Sequence, residues 1–186
     1  MKKILIGTHN QGKFKEIAYL ISRKFKKISP AELKIRSPKE TGKTFSSNSK
    51  LKVNFFSKFV KFPVISDDSG LCIKALNNKP GVHSARLAQK KGGFTQAMKY
   101  ILKRLELKKN RSATFVCNLS YKENNGKVIS VEGKIPGTIS KKILGKKGFG
   151  YDPIFIPNSK KITFGQMSKL KKIKMDHRFF AFKKLK

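Results

Sequence analysis

"SATFVCNLSYKENNGKVISVEG", residues 112–133, is the stretch that decides the architecture. Ala113, Phe115, Cys117, Leu119 and Tyr121 recur at every second position, the period of a strand with one apolar face. Asn125-Gly126 follows as a tight-turn signal, because both residues tolerate the positive φ of a two-residue hairpin loop. A second β-rich run then returns. A hairpin in mid-chain fits poorly with a doubly wound parallel sheet, whose strands are joined by helical crossovers. Upstream, Phe94, Ala97, Met98, Ile101, Leu102 and Leu105 line one face of a helix predicted over 94–107.

Further out the alternation continues. Residues 2–7 read as a buried strand. Residues 11–27 read as a helix on Phe14, Ile17, Ala18, Ile21 and Phe25. A short strand is expected at 34–36. A second helix is expected from Phe45 to Val60, with Leu51, Phe55 and Phe59 on one face and Pro63 as its stop. "VISDDSGLCIKAL" (64–76) reads as strand, turn, strand. "GKKGFGYDPIFIP" (145–157) reads as a glycine-rich loop entering a short strand, and two short helices close the chain. Interleaved helices and hairpins imply an α/β fold with a mixed sheet and helices packed on it. With 186 residues and no repeat or linker, a single domain over 1–186 is expected.

The hydrophobic fraction is 38% with 15 Phe, enough for a packed core. No apolar run reaches the roughly 20 residues of a membrane helix. "MKKILIGTHN" is too short in its apolar part for a secretory signal, so the cytoplasm is the default location. Cys72 and Cys117 form no metal or redox motif and read as buried thiols. The net charge is +34, from 44 Lys+Arg against 10 Asp+Glu. Such a surface attracts polyanions, and a basic nucleic-acid-binding protein is one reading. Six arginines scattered from Arg23 to Arg178 argue instead for a compositional habit, since base readers rely on arginine. In this chain a carboxylate says more than a lysine.

Four stretches carry candidate chemistry. "GTHNQGKFKEI" (7–17) nearly matches the phosphate loop G-x-x-x-x-G-K-[ST], but Phe14 stands where a metal-binding hydroxyl belongs. A strand end followed by a helix starting near Asn10, with Lys13 close by, still makes a phosphate site. Asp67 and Asp68 in "SDDSG" suit a hard divalent cation, or a polar turn. In "GFGYDPIF" (148–155) the glycines admit a ligand, Phe149 and Tyr151 offer flat faces for a base, and Asp152 offers an acceptor. His177 and Arg178 stand together near the start of the last helix.

Together these stretches resemble the inosine triphosphate pyrophosphatases, also called dITP/XTP pyrophosphatases. The matching pieces are "THNQGKFKE" at 8–16, "ETGKTF" at 40–45, "SDDSGL" at 66–71, "PGVHSAR" at 80–86, "GFGYDPIF" at 148–155 and "DHR" at 176–178. The resemblance implies an elongated mixed sheet flanked by helices, two lobes with a nucleotide cleft, and a homodimer. It implies Mg²⁺-dependent hydrolysis of 6-oxo purine triphosphates such as ITP, dITP and XTP to the monophosphate and pyrophosphate. No membrane is involved and nucleic acid is not required.

By the same resemblance, Thr8, Asn10 and Lys13 cradle phosphates, joined by Lys52 and Ser69, with His9, Gln11 and Gly12 of the same loop also binding substrate. Glu40 and Asp68 hold magnesium with Asp67 beside them, and Asp68 is also the base that prepares water. Phe149 stacks on the purine; Gly150, Tyr151 and Asp152 shape its pocket. Lys172 binds substrate, and His177 and Arg178 read the base. The sequence departs from the family pattern at Lys39 and Ser47, where acids are usual, so fewer carboxylates are expected at the metal. Asp176 stands where serine is usual, offering a carboxylate that could compete for Arg178. The near-match to the phosphate loop is then a coincidence, and Phe14 is the first core residue of its helix.

Overall fold

The computed structural model describes residues 1–124 and 126–185. Asn125, half of the expected Asn-Gly turn, lies outside the described residues. The strands are β1 (Lys2–Ile6), β2 (Phe25–Ile28), β3 (Val64–Ile73), β4 (Lys79–Pro80), β5 (Ser112–Lys122), β6 (Ile129–Ile139) and β7 (Phe155–Pro157). The helices are α1 (Gln11–Leu20), α2 (Phe45–Phe56), α3 (Ser84–Lys90), α4 (Phe94–Arg104), α5 (Lys169–Ile173) and α6 (His177–Lys183). The sheet runs β2-β1-β3-β5-β6-β7, with β4 paired to β3. It is mixed: β1 is parallel to β2 and β3, while β3–β4 and β6–β7 are antiparallel. The strands predicted from 112–133 are adjacent in it.

The chain divides into two compact units, each with its own core. The first comprises 1–68, 117–133 and 178–186. Ile4, Ile6, Ile17, Ile21, Ile65 and Leu119 form one buried cluster in it, and Leu5, Ile28, Val53, Phe56 and Val64 form another. Phe14 packs against the former, as its spacing predicts. The second unit comprises 69–116 and 134–177. Its core joins α4, through Ala97, Met98 and Ile101, to Phe115, Ile139, Phe155 and Phe164. Burying one such aliphatic side chain contributes about 1.5–3 kcal/mol. Among the described residues no helix is long and apolar enough to cross a membrane.

Four boundaries differ from the sequence expectation, each for a physical reason. The helix predicted over 11–27 ends at Leu20. Ser22 then accepts from the Lys24 amide through its hydroxyl and from Phe25 and Lys27 through its carbonyl, ending the helix ladder. Phe25 consequently opens β2. The strand expected at 34–36 is absent: Lys34 has φ 56° in a turn that Ile35 closes by donating to the Pro30 carbonyl. The second helix stops at Phe56, seven residues before Pro63. Its buried residues are Asn48, Ser49, Lys52, Val53 and Phe56, whereas Phe59 is 55% exposed. Polar groups occupy that inner face because each has a partner there.

"VISDDSGLCI" is one uninterrupted strand, without the expected turn. Gly70 makes this possible. A Cβ on it would lie 2.1 Å from the Gly81 carbonyl oxygen and 2.6 Å from Ser84 Oγ. The Ser84 hydroxyl accepts from Leu71 N–H at 2.9 Å and donates to the Gly81 carbonyl at 2.7 Å. The segment 80–84 therefore packs on the strand edge that a turn would have consumed.

Candidate active site

In the first unit, β1 delivers the chain to Gly7, where a Cβ would collide with Ser66 Oγ at 2.2 Å. Gly7 is thus required by packing. Asn10 caps α1: its Oδ1 accepts from Lys13 N–H at 3.1 Å. Thr8 Oγ1 accepts from Asn10 N–H at 3.2 Å. The His9 ring lies 2.6 Å from the Ser37 hydroxyl. Gln11 is exposed, while Gly12 and Lys13 are half-buried. These contacts fix a helix N-terminus whose first N–H groups and positive dipole end suit an anion.

Because β3 continues through the acids, Asp67 and Asp68 project to opposite faces of the strand. Asp67, fully buried, faces Lys13 Nζ at 3.2 Å and Arg178 Nη2 at 3.3 Å. Burial by itself would raise its pKa, but Lys13, Arg178 and Lys52 outweigh burial and hold the carboxyl well below the usual range. Arg178, predicted at a helix start, is buried there, with its Nη1 2.8 Å from Glu16 Oε2.

Asp68, 4% exposed, accepts from Asn48 Nδ2 at 2.9 Å. Burial and the neighbouring Glu40 charge raise its pKa against the pull of Lys13, Lys52 and the Asn48 hydrogen bond. A carboxyl so shifted is closer to the range in which it can move protons near neutrality. Lys52 Nζ reaches Glu40 Oε1 at 2.6 Å. Burial would lower the Lys52 pKa, but Asp67, Asp68 and Glu40 together raise it, so it stays charged.

The missing acid at Ser47 has a structural explanation. Thr44 and Ser47 form a reciprocal capping box at the start of α2, the Thr44 hydroxyl accepting from Ser47 N–H and Ser47 Oγ from Thr44 N–H. A glutamate at this position is the ordinary capping-box partner. Serine in its place keeps the cap. Among the described residues no cluster of three His, Cys, Asp or Glu side chains is arranged to hold a metal. Glu40 and Asp68, whose charges interact, are the two carboxylates that could hold a hard cation shared with phosphate oxygens.

In the second unit, Gly148 (φ 75°) and Gly150 (φ 65°) bend the loop around Phe149. Asp152 Oδ2 accepts from Phe149 N–H at 2.8 Å and from Lys172 Nζ at 2.5 Å. Lys172, at 3% exposure, also lies 4.6 Å from the Phe149 ring centroid. Phe149 is the half-buried flat face of this loop. Tyr151, expected as a second such face, is instead a core residue. Its hydroxyl donates to the Ser84 carbonyl at 2.9 Å, its ring meets Phe94 edge-on, and burial pushes its pKa up. His177 stacks flat on Phe115, centroids 4.9 Å apart and planes 9° apart. Ser69 follows Asp68 on β3 and is half-buried.

Two contributors carry no role in the sequence reading: Glu16, which orients Arg178, and Asn48, which holds Asp68. Glu16 is visible as the last position of "THNQGKFKE". Asn48 is signalled only by its place one turn before Lys52.

The sequence profile of the Ham1 family matches residues 4–186. A dITP/XTP pyrophosphatase of Caulobacter vibrioides is 40% identical over 186 residues, covering 99% of this chain and 96% of its own length. One of Rhodospirillum centenum is 38% identical, covering 98% and 92%. Among solved structures, the Staphylococcus aureus Ham1 protein matches with a TM-score of 0.87 at 34% identity, covering 99% of this chain and 96% of its own. A HAM1 protein from Coxiella burnetii matches with a TM-score of 0.88 at 34% identity, covering 100% and 96%.

Proposed function

The chain belongs to the Ham1 family, and from that premise we propose that it hydrolyses non-standard purine nucleoside triphosphates, ITP, dITP and XTP, to the monophosphate and pyrophosphate. The observation that carries the reading is the first unit's pair of acids, Glu40 and Asp68, set among Lys13 and Lys52. This is a site for a polyanion and a proton acceptor together.

Thr8 to Lys13, Lys52 and Ser69 take the phosphates. Lys13 and Lys52 supply charge that is held in place by Asp67 and Glu40 before substrate arrives. Glu40 and Asp68 are the residues that would hold Mg²⁺, which when bound neutralises phosphate charge and polarises water. Asp68 takes the proton of the attacking water. Phe149 stacks on the purine, Gly150, Tyr151 and Asp152 set the loop behind it, and Lys172 fixes that loop through Asp152.

His177 and Arg178 select the base. A 6-oxo purine presents an acceptor where adenine presents an amino donor. A donor left facing adenine's amino group loses about 1–3 kcal/mol when buried. Arg178 enters this role as a fixed charge, already engaged by Glu16 and Asp67. A homodimer in the cytoplasm completes the proposal, the former tested by a solution mass twice the chain's 21.1 kDa.

The test is D68N. It should abolish ITP hydrolysis in Mg²⁺ while the circular dichroism spectrum and melting temperature stay close to those of the unmodified chain. Undiminished turnover would remove Asp68 from the role of base.

A further inference from the structure

We propose that Asn48 is a positioning residue of this hydrolytic site, whose side-chain amide clips the loop carrying Glu40 to the Asp68 carboxylate. The inference rests on the reading just given and adds a residue to it.

Asn48 is completely buried on α2. Its Oδ1 accepts from Gly42 N–H at 2.8 Å, and its Nδ2 donates to Asp68 Oδ2 at 2.9 Å. The amide's orientation follows from its neighbours. The Gly42 N–H requires an acceptor and the Asp68 oxygen requires a donor, so the opposite flip would set like against like at both ends. Gly42 lies two residues after Glu40. Glycine is needed there, since a Cβ would fall 2.5 Å from Asn48 Oδ1 and 2.3 Å from Ser47 Oγ. One turn further along the same helix face, Lys52 binds Glu40 itself at 2.6 Å.

One helix face thus holds the Glu40 loop twice and Asp68 once. The capping box at Thr44–Ser47 fixes the start of that helix and with it the position of Asn48. The hydrogen bond to Oδ2 sets the rotation of the Asp68 carboxylate, while the bond to Gly42 sets the approach of the loop that bears Glu40. Without the amide, two like charges would be free to separate, and the spacing of the two acids would be lost.

The experiment compares the unmodified chain with N48L, N48D and G42A, measuring ITP hydrolysis, Gly42 amide exchange by NMR and melting temperature. N48L removes both bonds. It should lower kcat on the order of tenfold to a hundredfold, the usual effect of losing such a supporting partner. KM should stay within about threefold, since substrate binding is not what is lost. Gly42 exchange should become at least about tenfold faster, one hydrogen bond's worth, with Leu71 exchange unchanged. N48D keeps an oxygen for Gly42 but loses the donor to Asp68, so Gly42 stays protected while kcat stays low. G42A approaches the clip from the loop side, pressing a Cβ against Asn48 Oδ1 and Ser47 Oγ, and should lower kcat while residue 48 itself is kept, which keeps the test open if a position-48 variant fails to fold. Unchanged kcat in N48L, unchanged Gly42 exchange, or a loss shared between kcat and KM that tracks a lowered melting temperature would each overturn the proposal. An unmodified chain inactive on ITP would refute the assigned reaction instead, and Gly42 exchange would still decide whether the clip exists.

Discussion

Asp67 and Arg178 meet at 3.3 Å, carboxylate oxygen to guanidinium nitrogen, with side chains 0% and 2% exposed. Lys13 joins the same oxygen at 3.2 Å, and Glu16 holds the other end of the guanidinium at 2.8 Å. This array ties β3, α1 and α6 together.

Removing Asp67's charge should therefore be expensive. D67N leaves the buried Arg178 and the half-buried Lys13 without their shared anion, and about 3–5 kcal/mol of stability should be lost at pH 7. The pH dependence has a definite sign. The carboxyl is held well below its unfolded pKa of about 3.9. Its contribution is thus complete above that value and is lost progressively as pH falls below it toward the depressed folded value. Urea unfolding should show the gap between the unmodified chain and D67N narrowing from pH 5 to pH 3. A gap that stays constant would show that the Asp67 charge contributes nothing specific.

Lys172 and Asp152 form the second buried pair. K172M should destabilise the second unit by about 3–5 kcal/mol, much of it the cost of leaving Asp152 without its cation. K172M/D152N should recover a substantial part of that loss. Additive losses in the double variant would show that the two side chains act separately.

Much of this was legible beforehand because its signals are local. Helix α4 (Phe94–Arg104) has one buried face, and β5 and β6 are adjacent strands, because strong periodicity survives tertiary packing. The motifs of the site stand out because ten acids in a basic chain are conspicuous. The errors have physical causes too. Leu51, Phe55 and Phe59 looked like the inner face of α2, but hydrogen-bonded Asn48, Ser49 and Lys52 lie there, which an apolar-periodicity rule cannot anticipate. Asp-Asp-Ser-Gly is good turn chemistry, yet Gly70 serves the close approach of Gly81 and Ser84, a contact eleven to fourteen residues distant. Tyr151 looked like a ligand-facing ring and is core for the same reason, since its partner is the Ser84 carbonyl.

The base-stacking role proposed for Phe149 predicts a selective defect. F149A should lower kcat/KM for ITP roughly tenfold or more, since base–aromatic stacking contributes about 1–3 kcal/mol. The melting temperature should change little, because this ring is only half-buried. A ring that merely packs would give the reverse, a lowered melting temperature with unchanged kcat/KM.

The charge of +34 predicts polyanion binding that is unrelated to turnover. Fluorescence anisotropy with a labelled single-stranded oligonucleotide should show affinity that falls steeply with salt. D68N should leave that binding unchanged while ending hydrolysis. Salt-sensitive binding with no Mg²⁺-dependent turnover of any 6-oxo purine triphosphate would instead favour a nucleic-acid-binding protein.

The most direct test of the central claim is the identity of the products. ITP, dITP, XTP, GTP and ATP are each incubated with the protein and Mg²⁺, and pyrophosphate and orthophosphate are measured separately. Pyrophosphate and the monophosphate are expected from ITP, dITP and XTP, with ATP far behind. Orthophosphate and a diphosphate as products, or no turnover of any 6-oxo purine triphosphate, would contradict it.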